Sequence, residues 1–419
     1  MENQQEQMSL FEAQFDKPKL PKHIRLIEIF AGIGAQAKGL EIIGADFEHW
    51  RTCEWSWQSI KAYNAIHIHE IASTAHLSYE EVLDRLEGVS NDYNKPMTRK
   101  QLLDKGEDWA RDLLGSMIAN HNYCPNVSKL SAKDLAIDDR ENNTYILTYS
   151  FPCQDLSPSG QGKGMEKGSG TRSGLLWEIE RILNECKELD CLPQVLIMEN
   201  VPAILFKKNL KPFNDWLTAL EGLGYTNYHK VLNSKDYGIP QNRKRCFMVS
   251  ILGNYSYSFP RKFSLKYKLR DFVSKEDEVP NEYYLSDKVI AMFQRINRKH
   301  EERGNGFRFE PKDGDGVSNT ITTREGYRTD DTYLEVTMES DDLENVSASS
   351  EVNHLEIPSA TKKGYMEAYP GDGILPNWKG ARGTVQRGGC PTILTSPDTI
   401  AIVVEKKDDD GGKYGKTKN

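Results

Sequence analysis

A thiol and a carboxylate, each at the end of an apolar run, are the residues of this chain best placed for covalent chemistry. Phe151-Pro152-Cys153-Gln154 follows Tyr145-Ile146-Leu147-Thr148-Tyr149, a short β-prone stretch bounded by polar residues. Cys153 therefore leaves the C-terminal end of a strand, where open α/β sheets place their ligands. Pro152 fixes the backbone ahead of the sulfur. Gly160, Gly162, Gly164, Gly168 and Gly170 make the following loop a candidate lid. A held thiol beside a mobile lid suits nucleophilic catalysis, although a lone Pro-Cys is more commonly a buried, inert cysteine. Glu199 follows Val195-Leu196-Ile197-Met198, and a charge closing four apolar residues is costly unless it works.

The elements that must position these groups alternate between strand and helix. Arg25 to Phe30 reads as a buried strand, Ala31-Gly32-Ile33-Gly34 as a tight turn, and Ala35 to Ile43 as a helix. Strand, glycine turn and helix open a nucleotide-type fold, in which Gly32 and Gly34 let the backbone approach a ligand. A second strand, His49 to Glu54, ends in a carboxylate about twenty residues after the turn, the usual place of a ribose ligand. Trp55 follows it and could cover a purine face or simply fill core. Residues 71–128 are helix-like and charged and read as an insertion. Asp134-Leu135 ends a third expected strand, the Cys153 strand is the fourth, and Val195 to Met198 is the fifth. Helices are expected over Leu175–Leu183 and Phe213–Leu220. Strands over Tyr225–Leu232 and Cys246–Leu252 flank Gln241-Asn242-Arg243-Lys244-Arg245 and complete a doubly wound α/β sheet. Beyond Gly253 the chain is rich in Gly, Ser, Thr and Asp, with short β-prone runs. Asn319–Thr323 and Pro391–Thr395 echo one another there as possible hairpins.

At 419 residues the chain exceeds one ordinary core, so two domains and appendages are expected. No apolar run is long enough for a membrane span, and the polar start lacks the features of a signal peptide. Seven scattered cysteines point to a reducing cytoplasm. Cys186 and Cys191 have no His or Cys pair nearby to complete a zinc site, so no metal is expected. The net charge of −8 argues against nucleic acid only until its distribution is counted. Phe206 to Arg270 holds thirteen Lys/Arg against three Asp/Glu, whereas Asp330 to Pro358 holds nine acidic residues and no Lys or Arg. The first segment can face phosphates and the second reads as a solvated loop.

Taken in order, Phe30-Ala31-Gly32-Ile33-Gly34, Pro152-Cys153-Gln154, Glu199-Asn200-Val201 and Gln241-Asn242-Arg243-Lys244-Arg245 resemble the DNA (cytosine-5)-methyltransferase family. The resemblance covers about His23 to Leu252 firmly and the rest more loosely. It implies a Rossmann-like class I methyltransferase sheet over residues 23–255, preceded by a disordered tail over 1–22. A smaller, mostly β or irregular target-recognition region would span 256–405, and a polar tail 406–419. It implies S-adenosylmethionine as cofactor, double-stranded DNA as partner, and a role of the restriction–modification kind. Cys153 would attack C6 of a flipped cytosine, Glu199 would hold its N3 and N4 edge, and Arg245 would line the base pocket with Arg243 near. Phe30 and Trp55 would flank the cofactor adenine, with Gly32 and Gly34 in the turn. Glu54 would take the ribose hydroxyls, Asp134 and Leu135 the adenine edge, and Pro152 and Leu175 further walls.

One departure shapes the expectations. The family's Arg-x-Leu-Thr-x-x-Glu and Gly-Asn-(Ser/Ala)-Val segments have no match after Val403-Val404-Glu405 or elsewhere. The chain is therefore expected to be truncated or half of a split enzyme, completed by a second polypeptide. A non-catalytic DNA-binding remnant and a Rossmann-type oxidoreductase are the alternatives. The last is disfavoured, because the first turn has only two glycines and nothing near Glu199 resembles a hydride-transfer site.

Overall fold

The computed structural model describes residues 23–156, 164–265, 267–274, 279–280, 283–302, 304, 308–321, 329 and 331–337. It also describes the strand backbones at 355–358, 365–368, 373–375, 384–386 and 401–405. The expected tails over 1–22 and 406–419, the lid glycines Gly160 and Gly162, and the echoing Thr322–Thr323 and Pro391–Thr395 lie outside the described residues.

By contacts the chain divides into two compact units, one ending at Leu232 and resuming over Lys244–Pro260, the other comprising Asn233–Arg243 and everything from Arg261. The first is built on a six-stranded sheet. In chain order it contains β1 (His23–Ile29), α1 (Ala35–Ile42), β2 (Phe47–Cys53), α2 (Trp57–Tyr63), α3 (Tyr79–Arg85), α4 (Arg99–Lys105) and α5 (Glu107–Ala119). There follow β3 (Asn143–Tyr149), α6 (Leu176–Glu188), β4 (Val195–Asn200), α7 (Lys207–Gly222), β5 (Tyr225–Asn233) and β6 (Lys244–Leu252). The spatial order is β2-β1-β3-β4-β6-β5. The pairs β1–β2, β1–β3 and β3–β4 are parallel, and β6 runs antiparallel to β4.

Burial explains these elements. Leu26, Ile27 and Ile29 in β1, and Tyr145, Leu147 and Tyr149 in β3, are at most 1% exposed, as central strands covered on both faces must be. Helix α6 buries Leu176, Ile179, Ile182, Leu183 and Cys186 at helical spacing against that sheet. Strand order reverses beside β1, since β2 lies on one side and β3 on the other. The loops leaving β1 and β3 therefore open a crevice at a topological switch point. These two loops hold Phe30–Gly34 and Phe151–Cys153.

The segment expected to be an insertion is helical and has its own core. Val82, Leu83 and Leu86 of α3 and its exit pack with Leu102, Ala110, Leu113 and Met117. Ser78 with Glu81 and Thr98 with Gln101 form capping boxes that start α3 and α4. One expected strand is absent. Asp134-Leu135 belongs to a 3-10 turn, Ala132–Leu135, not to a strand. The Asp134 carboxylate accepts from the amide and hydroxyl of Ser131 at 2.8 and 2.7 Å, a local cap that closes the turn on itself. The Cys153 strand is consequently the third of the sheet and the Glu199 strand the fourth.

In the second unit β7 (Tyr284–Leu285), β13 (Ala401–Glu405) and β8 (Tyr333–Thr337) form a parallel sheet in that order. Helix α8 (Asp287–Glu302) packs Val289 and Phe293 on Phe309 and Tyr333. Two antiparallel pairs, β9 (Leu355–Pro358) with β10 (Tyr365–Ala368) and β11 (Gly373–Leu375) with β12 (Thr384–Gln386), make up the remaining strands among the described residues.

Candidate active site

The sheet brings most of the candidate residues of the first unit to the edge at which β1, β2, β3 and β4 end. The turn after β1 is held in an unusual conformation. Phe30 has φ 58°, a left-handed backbone that an aromatic residue rarely adopts. The Phe30 and Ala31 amides both donate to the Cys53 carbonyl, at 2.9 and 3.3 Å, which keeps that conformation in place. The Gly32 amide donates to Glu54 Oε2 at 2.8 Å, and the Ser56 amide to Glu54 Oε1 at 2.8 Å. Burial raises the pKa of Glu54, while the Ser56, Gly32 and Trp55 amides act to lower it. Glu54 is thus a strut between the first turn and the end of β2 as well as a candidate ligand. Trp55 is half-buried beside it, and its carbonyl accepts from the Ser90 amide at 2.6 Å.

The two glycines of the turn differ. A Cβ at Gly32 would meet nothing within 4 Å. A Cβ at Gly34 would lie 2.3 Å from His67 Nε2 and 2.7 Å from Tyr63 Cε2. Gly32 therefore has open space beside it, as expected of a ligand-facing position, whereas Gly34 makes room for two aromatic rings of the protein.

A small cavity beside this edge is lined by apolar Ile27, Ile29 and Leu130, by Arg51, and by Asp134 and Leu135. The 3-10 turn thus brings Asp134 and Leu135 beside the β1–β2 end without a strand. Trp50 Nε1 anchors the turn by donating to the Leu135 carbonyl at 3.0 Å.

The cysteine loop is pinned from two sides. Asn200 Nδ2 donates to the Phe151 carbonyl at 3.0 Å, and Ser173 Oγ to the Pro152 carbonyl at 2.7 Å. Asn200 and Ser173 are 2% and 0% exposed, so these bonds are made away from competing water. Pro152, Cys153 and Leu175 are half-buried, and Cys153 and Leu175 pack against the main core. Arg172 donates to Gln154 Oε1 at 2.9 Å on the outer side. Gln36 of α1 donates to Ser150 Oγ at 2.9 Å, tying the β1 exit to the β3 exit.

Glu199 alternates with the buried Met198 and Asn200 along β4. Its Oε1 pairs with Arg245 Nε at 2.9 Å, and the two side chains are 20% and 17% exposed. The antiparallel register of β4 and β6, with Glu199 opposite Phe247, brings Arg245 to it. Arg243 belongs to the second unit, where its guanidinium donates to the Ile321 carbonyl at 3.5 Å and its amide to Ser234 Oγ at 3.3 Å.

Sequence reasoning named Asn200 only as part of the Glu199-Asn200-Val201 motif, and passed over Ser173, Gln36 and a buried group behind the first turn: Glu28, Tyr63 and His67. Glu28 carried the signal that singled out Glu199, a carboxylate inside an apolar run. Its burial raises its pKa to about 7, offset in part by hydrogen bonds from Tyr63 and the Ala37 amide.

A family model described as C-5 cytosine-specific DNA methylase matches residues 110–382. The chain belongs to this family. It is 35% identical over 375 residues to the orphan methyltransferase M.SssI of Spiroplasma monobiae, covering 82% of this chain and 92% of that protein. It is 34% identical over 274 residues to the Type II methyltransferase M2.ScrFI of Lactococcus lactis subsp. cremoris, covering 64% and 72%. Among solved structures, the S. pombe Dnmt2 methyltransferase aligns at 15% identity over 71% of each chain, with a TM-score of 0.45. The chain is an enzyme of the DNA (cytosine-5-)-methyltransferase class with a Rossmann-like α/β fold. Neither the expected second polypeptide nor the non-catalytic remnant gains support from these relatives. No described helix is long and apolar enough to cross a membrane.

Proposed function

We propose that this methyltransferase adds a methyl group to C5 of a cytosine flipped out of double-stranded DNA, through a covalent adduct at Cys153. The observation that carries the reading is the pinned Pro152-Cys153 segment in the loop leaving β3, with Glu199 near the end of the adjacent parallel β4 and paired to Arg245 of β6. Cytosine C5 is a poor nucleophile until a group adds at C6. The Cys153 thiolate forms the C6–S bond while Glu199 holds the N3 and N4 edge and supports protonation at N3. Electron density released to C5 takes up the methyl group; loss of the C5 proton then re-forms the double bond and expels the thiolate. Arg245 orients Glu199 and adds positive charge that favours both thiolate and bound base. Arg243 is assigned to the base or a neighbouring phosphate through the family resemblance. Because the reacting carbon is stacked in a duplex, the base has to leave the helix, and the basic segment 206–270 suits phosphate contact.

The methyl group would come from S-adenosylmethionine, which supplies an electrophilic methyl on sulfur. The residues at the β1–β2 edge suit that molecule. Gly32 leaves space beside the turn, Glu54 offers carboxylate lone pairs for ribose hydroxyls, and Phe30 and Trp55 offer aromatic faces. The apolar side chains and the Asp134 carboxylate on the cavity lining suit a purine carrying an amino group, and the resemblance adds Leu135, Pro152 and Leu175 as further walls.

The test is transfer of tritium from methyl-labelled S-adenosylmethionine to duplex DNA, together with trapping on DNA containing 5-fluorocytosine. The parent is expected to form a covalent complex, and Cys153→Ser to form none while still binding DNA. Equal trapping by both proteins would remove Cys153 from the role of nucleophile.

A further inference from the structure

Behind the first turn lies a cluster of polar side chains that the proposed chemistry leaves unused. Helix α2 ends at Tyr63 and continues as a π-helical turn, Asn64–Ile68, closed by the His69 amide on the Asn64 carbonyl at 2.8 Å. Such local widening of a helix is uncommon and concentrates at functional sites. It presents Tyr63 and His67 together, with ring centroids 4.8 Å apart, beneath Gly34.

His67 spans the turn and the helix that follows it. Its Nε2 is 3.0 Å from the Ile33 carbonyl, and its Nδ1 is 2.5 Å from Glu41 Oε1 on α1. Its side chain is 0% exposed. A carbonyl only accepts, so Nε2 carries a proton. Glu41, whose pKa is lowered by Lys38 first and by His67 after it, faces Nδ1. His67 is thus held at both ring nitrogens, by the turn on one side and by α1 on the other.

The other groups facing it are consistent with that. His49, with its ring centroid 5.5 Å away, is held neutral: its pKa falls to about 4 through burial and then the charge of His67. His49 Nδ1 lies 2.6 Å from Tyr63 Oη, and Tyr63 donates to Glu28 Oε2 at 2.7 Å. Glu28 Oε1 in turn accepts from the Ala37 amide at 3.4 Å, in the first turn of α1. Lys38 pairs with the second oxygen of Glu41 at 2.7 Å. Glu41, His49 and His67 offer ligand atoms within 4.8 Å of one another. Both nitrogens of His67 are engaged, however, which makes the group a hydrogen-bonded brace and not a metal centre.

We infer that His67 is a positioning residue for cofactor binding. It fixes the Ile33 carbonyl and fills the space that Gly34 vacates, so that the Gly32–Glu54 contact and Phe30 are held in place for S-adenosylmethionine. This rests on the reading of the Phe30–Gly34 turn as the cofactor turn. The brace acts on the turn and not on the cysteine loop, so its loss should weaken cofactor capture and spare the chemical step.

The experiment compares the full chain with His67→Phe, which keeps a ring but neither ring nitrogen, and with Glu41→Gln, which keeps an acceptor but no charge. His67→Phe is expected to raise KM for S-adenosylmethionine about tenfold or more, with kcat at saturating cofactor within about twofold of the parent. Glu41→Gln should raise it less. A KM within about twofold of the parent in folded His67→Phe would overturn the proposal, as would a fall confined to kcat. Should that variant not fold, nitrogen-15 imidazole resonances of the unaltered chain decide. An Nε2–H on His67 that responds to added S-adenosylmethionine supports the brace, and a ring without a proton on Nε2, or no response, overturns it. Failure of the unaltered chain to bind S-adenosylmethionine by calorimetry would instead refute the cofactor reading, and the inference with it.

Discussion

Glu28→Gln should make the protein more stable above neutral pH and lose that advantage in acid. Glu28 is 1% exposed near the C-terminal end of β1, between Ile27 and Ile29. Burial is the largest cause of its raised pKa, from an ordinary 4.5 to about 7. The folded pKa therefore lies above the unfolded one. Below pH 4.5 the carboxyl is neutral in both states and its ionisation costs the fold nothing. Between 4.5 and 7 the unfolded chain gives up a proton that the folded chain retains, so stability falls as pH rises. Above pH 7 the cost is complete, and at about 1.36 kcal/mol per pKa unit it reaches about 3 kcal/mol. Glutamine cannot ionise and keeps an oxygen for the Tyr63 hydroxyl. Its amide NH₂ replaces an acceptor near the Ala37 amide, at a loss of about 1 kcal/mol. The net expectation is a gain of about 2 kcal/mol at pH 8 and a difference near zero or slightly unfavourable at pH 5. Urea unfolding midpoints of both proteins at the two pH values measure it. A difference that does not change with pH, or a parent that gains on the variant as pH rises, would show that Glu28 does not titrate as its burial requires.

Further outcomes are expected at the site itself. Arg245→Ala removes a 2.9 Å ion pair whose members are 17–20% exposed, and about 1–3 kcal/mol of transition-state stabilisation should go with it. Steady-state kcat/KM on duplex DNA should fall about five- to 150-fold, with Arg245→Lys recovering part, and an unchanged kcat/KM would mean that the pair is structural. Glu54→Ala should weaken S-adenosylmethionine binding by about 1–3 kcal/mol by calorimetry while 5-fluorocytosine trapping persists; an unchanged affinity would remove Glu54 from the site. Exchange of residues 256–382 for those of a relative should change which sequence is methylated and leave cytosine as the target. Sequencing of the methylated product checks this, and retention of the original sequence would move specificity to the helical insertion.

Much of the sheet was legible because its buried strands are short apolar runs closed by residues that break the pattern. Cys153 and Glu199 stood out for that reason, and the structure has Glu199 on β4 and Cys153 in the loop leaving β3, the parallel neighbour of β4. Asp134 was legible as a residue at this edge but not as part of an element. The pattern that suggested a strand end is in fact a serine-capped turn, and side-chain capping is decided over three residues, below the range of strand periodicity. The helical insertion was legible as helices, since its two capping boxes and apolar spacing are local. That those helices enclose a separate core depends on contacts between residues some thirty positions apart.

The least legible feature was the difference between two identical letters. Gly32 and Gly34 share a turn, and both have positive φ, at 56° and 81°. Sequence logic assigns both to close approach by a ligand. The structure separates them by what occupies the missing Cβ position: nothing within 4 Å at Gly32, two protein rings at Gly34. Those rings come from positions 63 and 67, about thirty residues later, and they converge only because α2 widens into a π-turn. No local rule could link that widening to a glycine in another loop. A Gly34→Ala change is therefore a test of packing and backbone conformation, whereas Gly32→Ala tests the backbone in a place with room for the added carbon. Only the second bears directly on whether a ligand takes up that space.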